Sequence, residues 1–378
     1  MYNILLLEAE YRKVLSLIRH AGKKGYNVYT ASLNKFSIGG SSKFVKKNYY
    51  LKELELSQIL KIIKENNIDV IIPCNEKSVE FLAKNTEKFD IPLVTPNLES
   101  YIICNDKLET MKFAQKLNIR VPKTVFFNNI DELKTNIKEI GFFPVVLKPR
   151  KSSGSRGIKY IENSEELRKE LNDQYINLYG IPLIQEYIPN GGKAIGASFL
   201  YYNGKEILNF CHERIRQYPP DGGPSTLAVS IYNENAVNIG RKLLENLKWN
   251  GLAMVEFKED PKNGELVLME INPRMWGTIG LALFSGADFL EAILKVFVEG
   301  CNLNEIDKNY NEGYYFRWFF PGDLLSIIKS KDLSIVEKAK LLFLKKEEKV
   351  IDQIIDKGDL KPMFMTFLYS LNSLFKRK

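Results

Sequence analysis

The chain has 378 residues, 45% of them hydrophobic and 26% charged, which is enough apolar material for two or three cores and excludes an intrinsically disordered chain. The 54 Lys and Arg exceed the 46 Asp and Glu for a net charge of +8, but the cations are interleaved with acids. This favours a solvated surface and affinity for small anions over a nucleic-acid groove.

In chain order, "MYNILLLEAEYRK" lacks a basic start, a full apolar core and a small-residue cleavage site, so it reads as a first strand rather than a secretion signal. "NILLLE", "YNVYTA" and "DVIIPC" are short apolar runs separated by helical patterns over 11–24 and 55–66, which predicts parallel βαβ units. No glycine follows the first strand to admit a pyrophosphate, so a dinucleotide fingerprint is excluded there. His20 lies in a Lys-rich helix and is expected to be solvated. A Pro-marked turn, a helix opening near Asn105 or Asp106 and an exit at "NIRVP" mark a domain boundary. Strands and helices alternate to about residue 190. The runs "AIGASFLYYN", "EILNFCHERI", "GLAMVEFKED" and "ELVLMEINPR" then read as antiparallel, interrupted by a helix over 233–247. "GLALFSGADFLEAILKVFVEG" carries Asp288, Glu291 and Lys295 at amphipathic-helix spacing, so no segment is expected to span a membrane. Cys74, Cys104, Cys211 and Cys301 form no CxxC pair, which argues against zinc and fits reduced thiols in a cytosol.

Three stretches carry chemistry. "KPRKSSGSRG", residues 148–157, comes after an apolar run, and its small residues leave backbone N–H groups free to wrap phosphate oxygens while Lys148 and Arg156 supply positive charge. A solvated hairpin tip has the same composition. "IQEYI" ends a strand on a carboxylate before the turn "PNGG", a hinge able to hold a base and ribose. "MVEFK" and "LMEINPR" put Glu256 and Glu270 on two strands of a hairpin, with Asn272 two residues on and on the same face. Two carboxylates and a carboxamide suit Mg²⁺ bridged to phosphates, against the plainer reading of two surface acids. In "NFCHERIRQYPPDGGPSTLAV", alternation places His212, Arg214 and Arg216 on one face before a Pro- and Gly-rich loop; Arg214 is the first candidate for an anion contact and His212 the lesser.

In this order, over roughly residues 100–285, these motifs resemble the ATP-grasp enzymes. The resemblance implies an α/β and α+β chain: an N-terminal open α/β domain over 1–100, then a two-subdomain ATP-grasp fold over 101–190 and 191–310, and an extension over 311–378. It makes Lys107 and Lys148 ATP-contacting lysines and closes Ser153, Gly154, Ser155 and Gly157 over the phosphates. Glu186 would lie near the adenine amine, and Ile188 would contribute backbone. Glu256, Glu270 and Asn272 fall on positions that hold Mg²⁺, with Mn²⁺ as a substitute, and Arg274 falls on the arginine facing the transferred phosphoryl group. Lys193, in "GGKAIGAS", departs from many relatives and has no assigned role.

The implied activity is that of an ADP-forming carboxylate–amine ligase: ATP phosphorylates a carboxylate and an amine displaces the phosphate, with no protein nucleophile. Arg214 is carried as a second catalytic residue. "YPPDGGPST" is similar to a carbamoyl-phosphate synthase-like subgroup associated with cell-surface polymer synthesis; with a single unit, carbamoyl phosphate itself is not the expected product. The expected protein is cytoplasmic and homo-oligomeric, with small-molecule carboxylate and amine substrates and no nucleic acid. Two alternatives stay open, a carboxyphosphate-forming carboxylase and a nonenzymatic ATP-binding regulator.

The tail "KPMFMTFLYSLNSLFKRK" places Met363, Phe364, Phe367, Leu368, Leu371, Leu374 and Phe375 within an arc of about 140° on a helix. Either this face docks on the protein's own domain, the preferred reading, or with the basic end it makes peripheral contact with the inner membrane surface.

Overall fold

The computed structural model describes residues 1–137, 140–152, 154–219, 222–330, 333–342 and 349–375. A parallel four-stranded sheet opens the chain, built from β1 (Asn3–Leu7), β2 (Asn27–Ser32), β3 (Val45–Tyr50) and β4 (Val70–Pro73) in the order β3-β2-β1-β4. Its helices are α1 (Arg12–Lys23), α2 (Leu56–Asn66) and α3 (Glu76–Lys84). Ile4, Leu5, Leu6 and Leu7 are all fully buried, because both faces of a parallel sheet are covered. Alternation splits them: Leu5 and Leu7 pack with Ile59 and Ile62 of α2, whereas Ile4 and Leu6 join a core that includes Phe210 and Trp276. The first layer therefore shares a core with residues more than 200 positions downstream. Strand β3 escapes apolar patterning because it is a largely exposed, Lys-bearing edge.

Two helices, α4 (Leu98–Asn105) and α5 (Lys107–Lys116), lead into the second sheet. It comprises β5 (Thr124–Val125), β6 (Val145–Lys148), β7 (Lys159–Ile161) and β8 (Leu183–Glu186), in the antiparallel order β5-β8-β6-β7. Helices α6 (Ile130–Asn136), α7 (Ser164–Glu170) and α8 (Asp173–Tyr179) accompany it.

The third sheet has seven strands in the order β13-β12-β9-β10-β11-β14-β15. These are β9 (Ala194–Tyr202), β10 (Lys205–Gln217), β11 (Ser225–Ile231), β12 (Gly251–Glu259), β13 (Leu266–Asn272), β14 (Tyr314–Arg317) and β15 (Lys349–Asp352). Helix α9 (Glu234–Asn246) interrupts them near the expected place. The long apolar stretch after β13 is not one helix. Gly286, at φ +111°, ends α10 (Ile279–Ser285), and Asp288 caps α11 (Phe289–Ile293) by accepting from the Glu291 N–H at 3.0 Å. His20 is not simply solvated: its Nε2 lies 2.9 Å from the Asp288 carboxylate.

The extension, unplaced from sequence, supplies β14, β15, α12 (Leu324–Lys329), α13 (Ile335–Leu342) and α14 (Lys361–Phe375). Buried Arg19 of α1 holds it by donating to Asp359 Oδ2 at 3.0 Å and to the Ile354 carbonyl at 3.0 Å. The tail helix docks, but through Met363 and Tyr369 beside Leu15, Ile38, Ile354 and Trp318. Thr366 is buried on the docked side, while Phe364 and Phe367 are 64% and 56% exposed, so of the expected apolar face Met363, at its edge, docks and these two do not. Burial of Thr366 is tolerated because its hydroxyl donates to the Pro362 carbonyl at 2.8 Å. Residues 376–378 lie outside the described residues, and for Leu371, Leu374 and Phe375 only the backbone is described. No described helix is long and apolar enough to cross a membrane.

Candidate functional site

The β12–β13 hairpin places Glu256 directly opposite Glu270. Asn272 joins them, its amide donating to Glu256 Oε1 at 3.0 Å and Glu270 Oε1 at 3.3 Å. Two cations from the other sheet and its entry helix converge on this pair. Lys107 opens α5 after Asp106, whose carboxylate accepts from the Leu108 N–H at 3.0 Å as an N-cap. Arg150 donates to the same carboxylate through Nε at 3.1 Å and Nη2 at 2.6 Å, and so ties the helix start to the loop after β6. The Lys107 ammonium then lies 3.3 Å from Glu270 Oε2 and donates to the Ser152 carbonyl at 2.7 Å.

Lys148 ends β6 and is buried; burial pulls its ammonium down to about 8, with Glu270 opposing and Lys107 adding to the shift. Burial pushes the Glu270 carboxyl up, but the charges of Lys107 and Lys148 outweigh it and hold the group below its ordinary value. Two lysines and a carboxylate with low proton affinity form a site in which charge is concentrated.

Gly154, Ser155 and Gly157 all have left-handed φ values, +65°, +59° and +77°. Gly157 admits no side chain, since a Cβ there would meet Pro149 Cγ at 2.7 Å. Gly154 and Ser155 line the cavity; Ser153 lies outside the described residues. At the end of β8, Glu186 lines the cavity while its carboxylate accepts from the Lys123 N–H at 3.1 Å. The Ile188 carbonyl accepts from Lys258 Nζ at 2.6 Å.

The arginines separate. Arg214 Nη2 lies 3.1 Å from Glu256 Oε2 and faces the cavity. A register shift between Arg214 and Arg216 lets Arg216 turn to Asp323 instead. His212 does not share that face of the cavity. It is buried against Gly196 and Phe210, lies 3.3 Å from Thr278 Oγ1, and is held neutral, with burial and then Arg214 lowering it to about 3. Arg274 donates to Glu76 Oε1 at 2.7 Å, at the start of α3, and does not line the cavity in this arrangement. Lys193 lies at the rim, 3.9 Å from Glu213.

Together these groups border a cavity of about 830 Å³ between the second and third sheets. Sequence reasoning missed Val146, Ile158, Tyr160 and Met269, which supply apolar lining near the hinge, and Lys258, whose ammonium sits over the Tyr187 ring at 5.3 Å. Their signal was weak, because an apolar residue beside a cavity reads like any other apolar residue of a strand or core. Among the described residues no cluster of three His, Cys, Asp or Glu side chains could hold a metal, so a metal here would rest on two carboxylates and Asn272.

Residues 104–278 match the family model for the ATP-grasp domain. The chain is 30% identical over 250 residues to a formate-dependent phosphoribosylglycinamide formyltransferase of Prochlorococcus marinus, covering 63% of this chain and 62% of that relative. It is 25% identical to the enzyme of that name from Saccharolobus solfataricus, covering 76% and 73%. It is also 22% identical to the arginine-specific carbamoyl phosphate synthase large chain of Bacillus subtilis, covering 61% of this chain but 22% of that one. In fold it resembles the biotin carboxylase domain of Hydrogenobacter thermophilus 2-oxoglutarate carboxylase, solved with MgADP, ADP and bicarbonate, at a TM-score of 0.66 and 19% identity over 83% of this chain and 73% of that one. N5-carboxyaminoimidazole ribonucleotide synthetase of Thermotoga maritima matches at 0.53 and 20%, over 72% and 69%.

Proposed function

We propose that this chain, whose residues 104–278 form an ATP-grasp domain, uses ATP to activate a carboxylate as an acyl phosphate and passes the acyl group to an amine, releasing ADP and phosphate. The observation that carries this reading is the convergence of Glu256, Glu270 and Asn272 with Lys107 and Lys148, from three separate parts of the chain, on one cavity. The donor set fits Mg²⁺: all its oxygens are hard, and the two carboxylates now meet Arg214 and Lys107, cations standing where a metal ion would be held. When bound, Mg²⁺ would supply charge neutralisation on the phosphates.

The chain's own groups do the rest. Lys107 and Lys148 meet the phosphate oxygens and stabilise the charge that spreads over the γ-phosphoryl group. The loop around Gly154 and Ser155 closes over them and excludes water from an acyl phosphate that would otherwise hydrolyse. Arg214 orients the carboxylate for in-line attack. The oxygen of that carboxylate forms the new bond to phosphorus, and ADP leaves. The amine then attacks the acyl carbon, phosphate leaves, and the amine proton passes to solvent or phosphate.

The formate-dependent and carbamoyl phosphate synthase relatives support carboxylate activation and lend no support to cell-surface polymer synthesis. The test is product analysis in the presence of hydroxylamine and a panel of carboxylates. ADP, phosphate and a hydroxamate are expected; AMP and pyrophosphate would overturn the reading.

A further inference from the structure

The cavity runs on past the carboxylates, across the sheet, into a second wing. In sheet order, the acids lie on β13 and β12, then comes β9, and then the end of β10 with Arg214, Ile215 and Arg216. Beyond β10 the wall comes from the extension: Ile327 of α12, Leu333, and Leu341 of α13. This wall is anchored. Ser326 Oγ donates to the Gln217 carbonyl at 2.9 Å, and Arg317 donates to the carbonyls of Leu342 and Leu341 at 3.1 and 3.3 Å.

Its chemistry differs from that of the nucleotide wing. Arg216 and Arg317 share one carboxylate, Asp323, which is fully buried between them, so this trio keeps one net positive charge, directed at that carboxylate. Arg214 is the cation facing the junction of the wings, through its contact with Glu256. Ile215 is 42% exposed, and Leu333 and Leu341 are half-buried, so apolar surface faces the open cavity. Covering such surface is favourable.

Resting on the ATP-dependent reading above, we propose that this wing holds the hydrocarbon part of the activated acid. The substrate is then an alkyl or aryl carboxylate, its carboxylate at Arg214 and its apolar part against Ile215, Ile327, Leu333 and Leu341. The extension becomes the element that sets substrate choice.

The experiment titrates straight-chain carboxylates from formate to octanoate into the full chain saturated with MgADP, with calorimetry as the readout. Affinity is expected to rise about three- to fourfold for each added methylene until the wing is filled. The uncharged Ile215→Asn and Leu341→Asn should each weaken octanoate at least about tenfold relative to formate, with ADP still bound; the exposure of Ile215 protects the fold of the first variant if the second does not fold. Equal affinity for formate and octanoate, or no change in their ratio in Ile215→Asn, would overturn the proposal while ADP still binds. Failure of ADP itself to bind would overturn the nucleotide reading, and this proposal with it.

Discussion

Two arginine–carboxylate clusters lie on the same sheet, and they differ in how fully each carboxylate is used. Asp323 is closed: it accepts from Arg216 at 2.7 and 2.9 Å, from Arg317 at 2.6 Å and from Thr226 at 3.1 Å, with no exposure to solvent. Its lone pairs are all engaged, so it serves as a rivet between β10, β11 and β14. Glu256 and Glu270 are open. Their side chains keep 21% and 30% exposure, and each meets one cation and one arm of Asn272. Such a pair can exchange its protein cations for a metal and phosphates without stranding a buried charge. The same residue types thus hold a structure together at one end of the cavity and keep open lone pairs at the other.

Substitutions at the two ends should separate accordingly. Asp323→Asn leaves two guanidinium groups facing each other in a buried site and is expected to cost about 3–5 kcal/mol in urea unfolding. A loss below about 1 kcal/mol would show that the closed cluster is not a rivet. Glu270→Gln should reduce turnover at least about a hundredfold, with a smaller shift in unfolding midpoint than Asp323→Asn. Near-normal turnover with an accepted substrate would remove Glu270 from the mechanism.

The smallest effect is a protonic one at the open end. Burial holds Lys148 at about 8 in the folded chain against an ordinary 10.5, so the folded state sheds this proton first as pH rises. Between those values the unfolded chain binds more protons, and this group's cost to folding is relieved as pH increases. Bound phosphates act in the opposite sense and favour the ammonium. ADP binding near pH 8 is therefore expected to take up part of a proton, and at pH 6.5 almost none. Above about 8, affinity should fall by up to about tenfold per pH unit. Calorimetry in two buffers of different ionisation enthalpy measures the uptake; its persistence in Lys148→Met would assign it elsewhere.

Much of the open end was legible in the sequence. Glu256, Glu270 and Asn272 sit on a hairpin whose alternation and turn are local features, so their shared face is set by the period of a strand. The closed end was not legible. Arg216 was expected beside Arg214, but the register shift that turns it toward Asp323 depends on a residue 107 positions away. His212 looked available until Gly196 and Phe210 enclosed it. The tail helix was recognisable as a helix, yet it docks by the edge of its apolar arc, through Met363 and Tyr369 beside Trp318 and Ile354, and leaves Phe364 and Phe367 exposed.

By itself the sequence determined the parallel opening layer, the antiparallel hairpins, the glycine-rich loop after β6 and the shared strand face of Glu256, Glu270 and Asn272. Each of these is encoded within a few residues, by periodicity, by turn chemistry or by the backbone freedom of glycine. Only the tertiary structure decided which cation meets which carboxylate, and that residues beyond 310 complete the third sheet and wall the second wing. Those outcomes rest on contacts between residues as far apart as Arg19 and Asp359, 340 positions along the chain, and such contacts depend on packing fit and desolvation, which leave no local pattern.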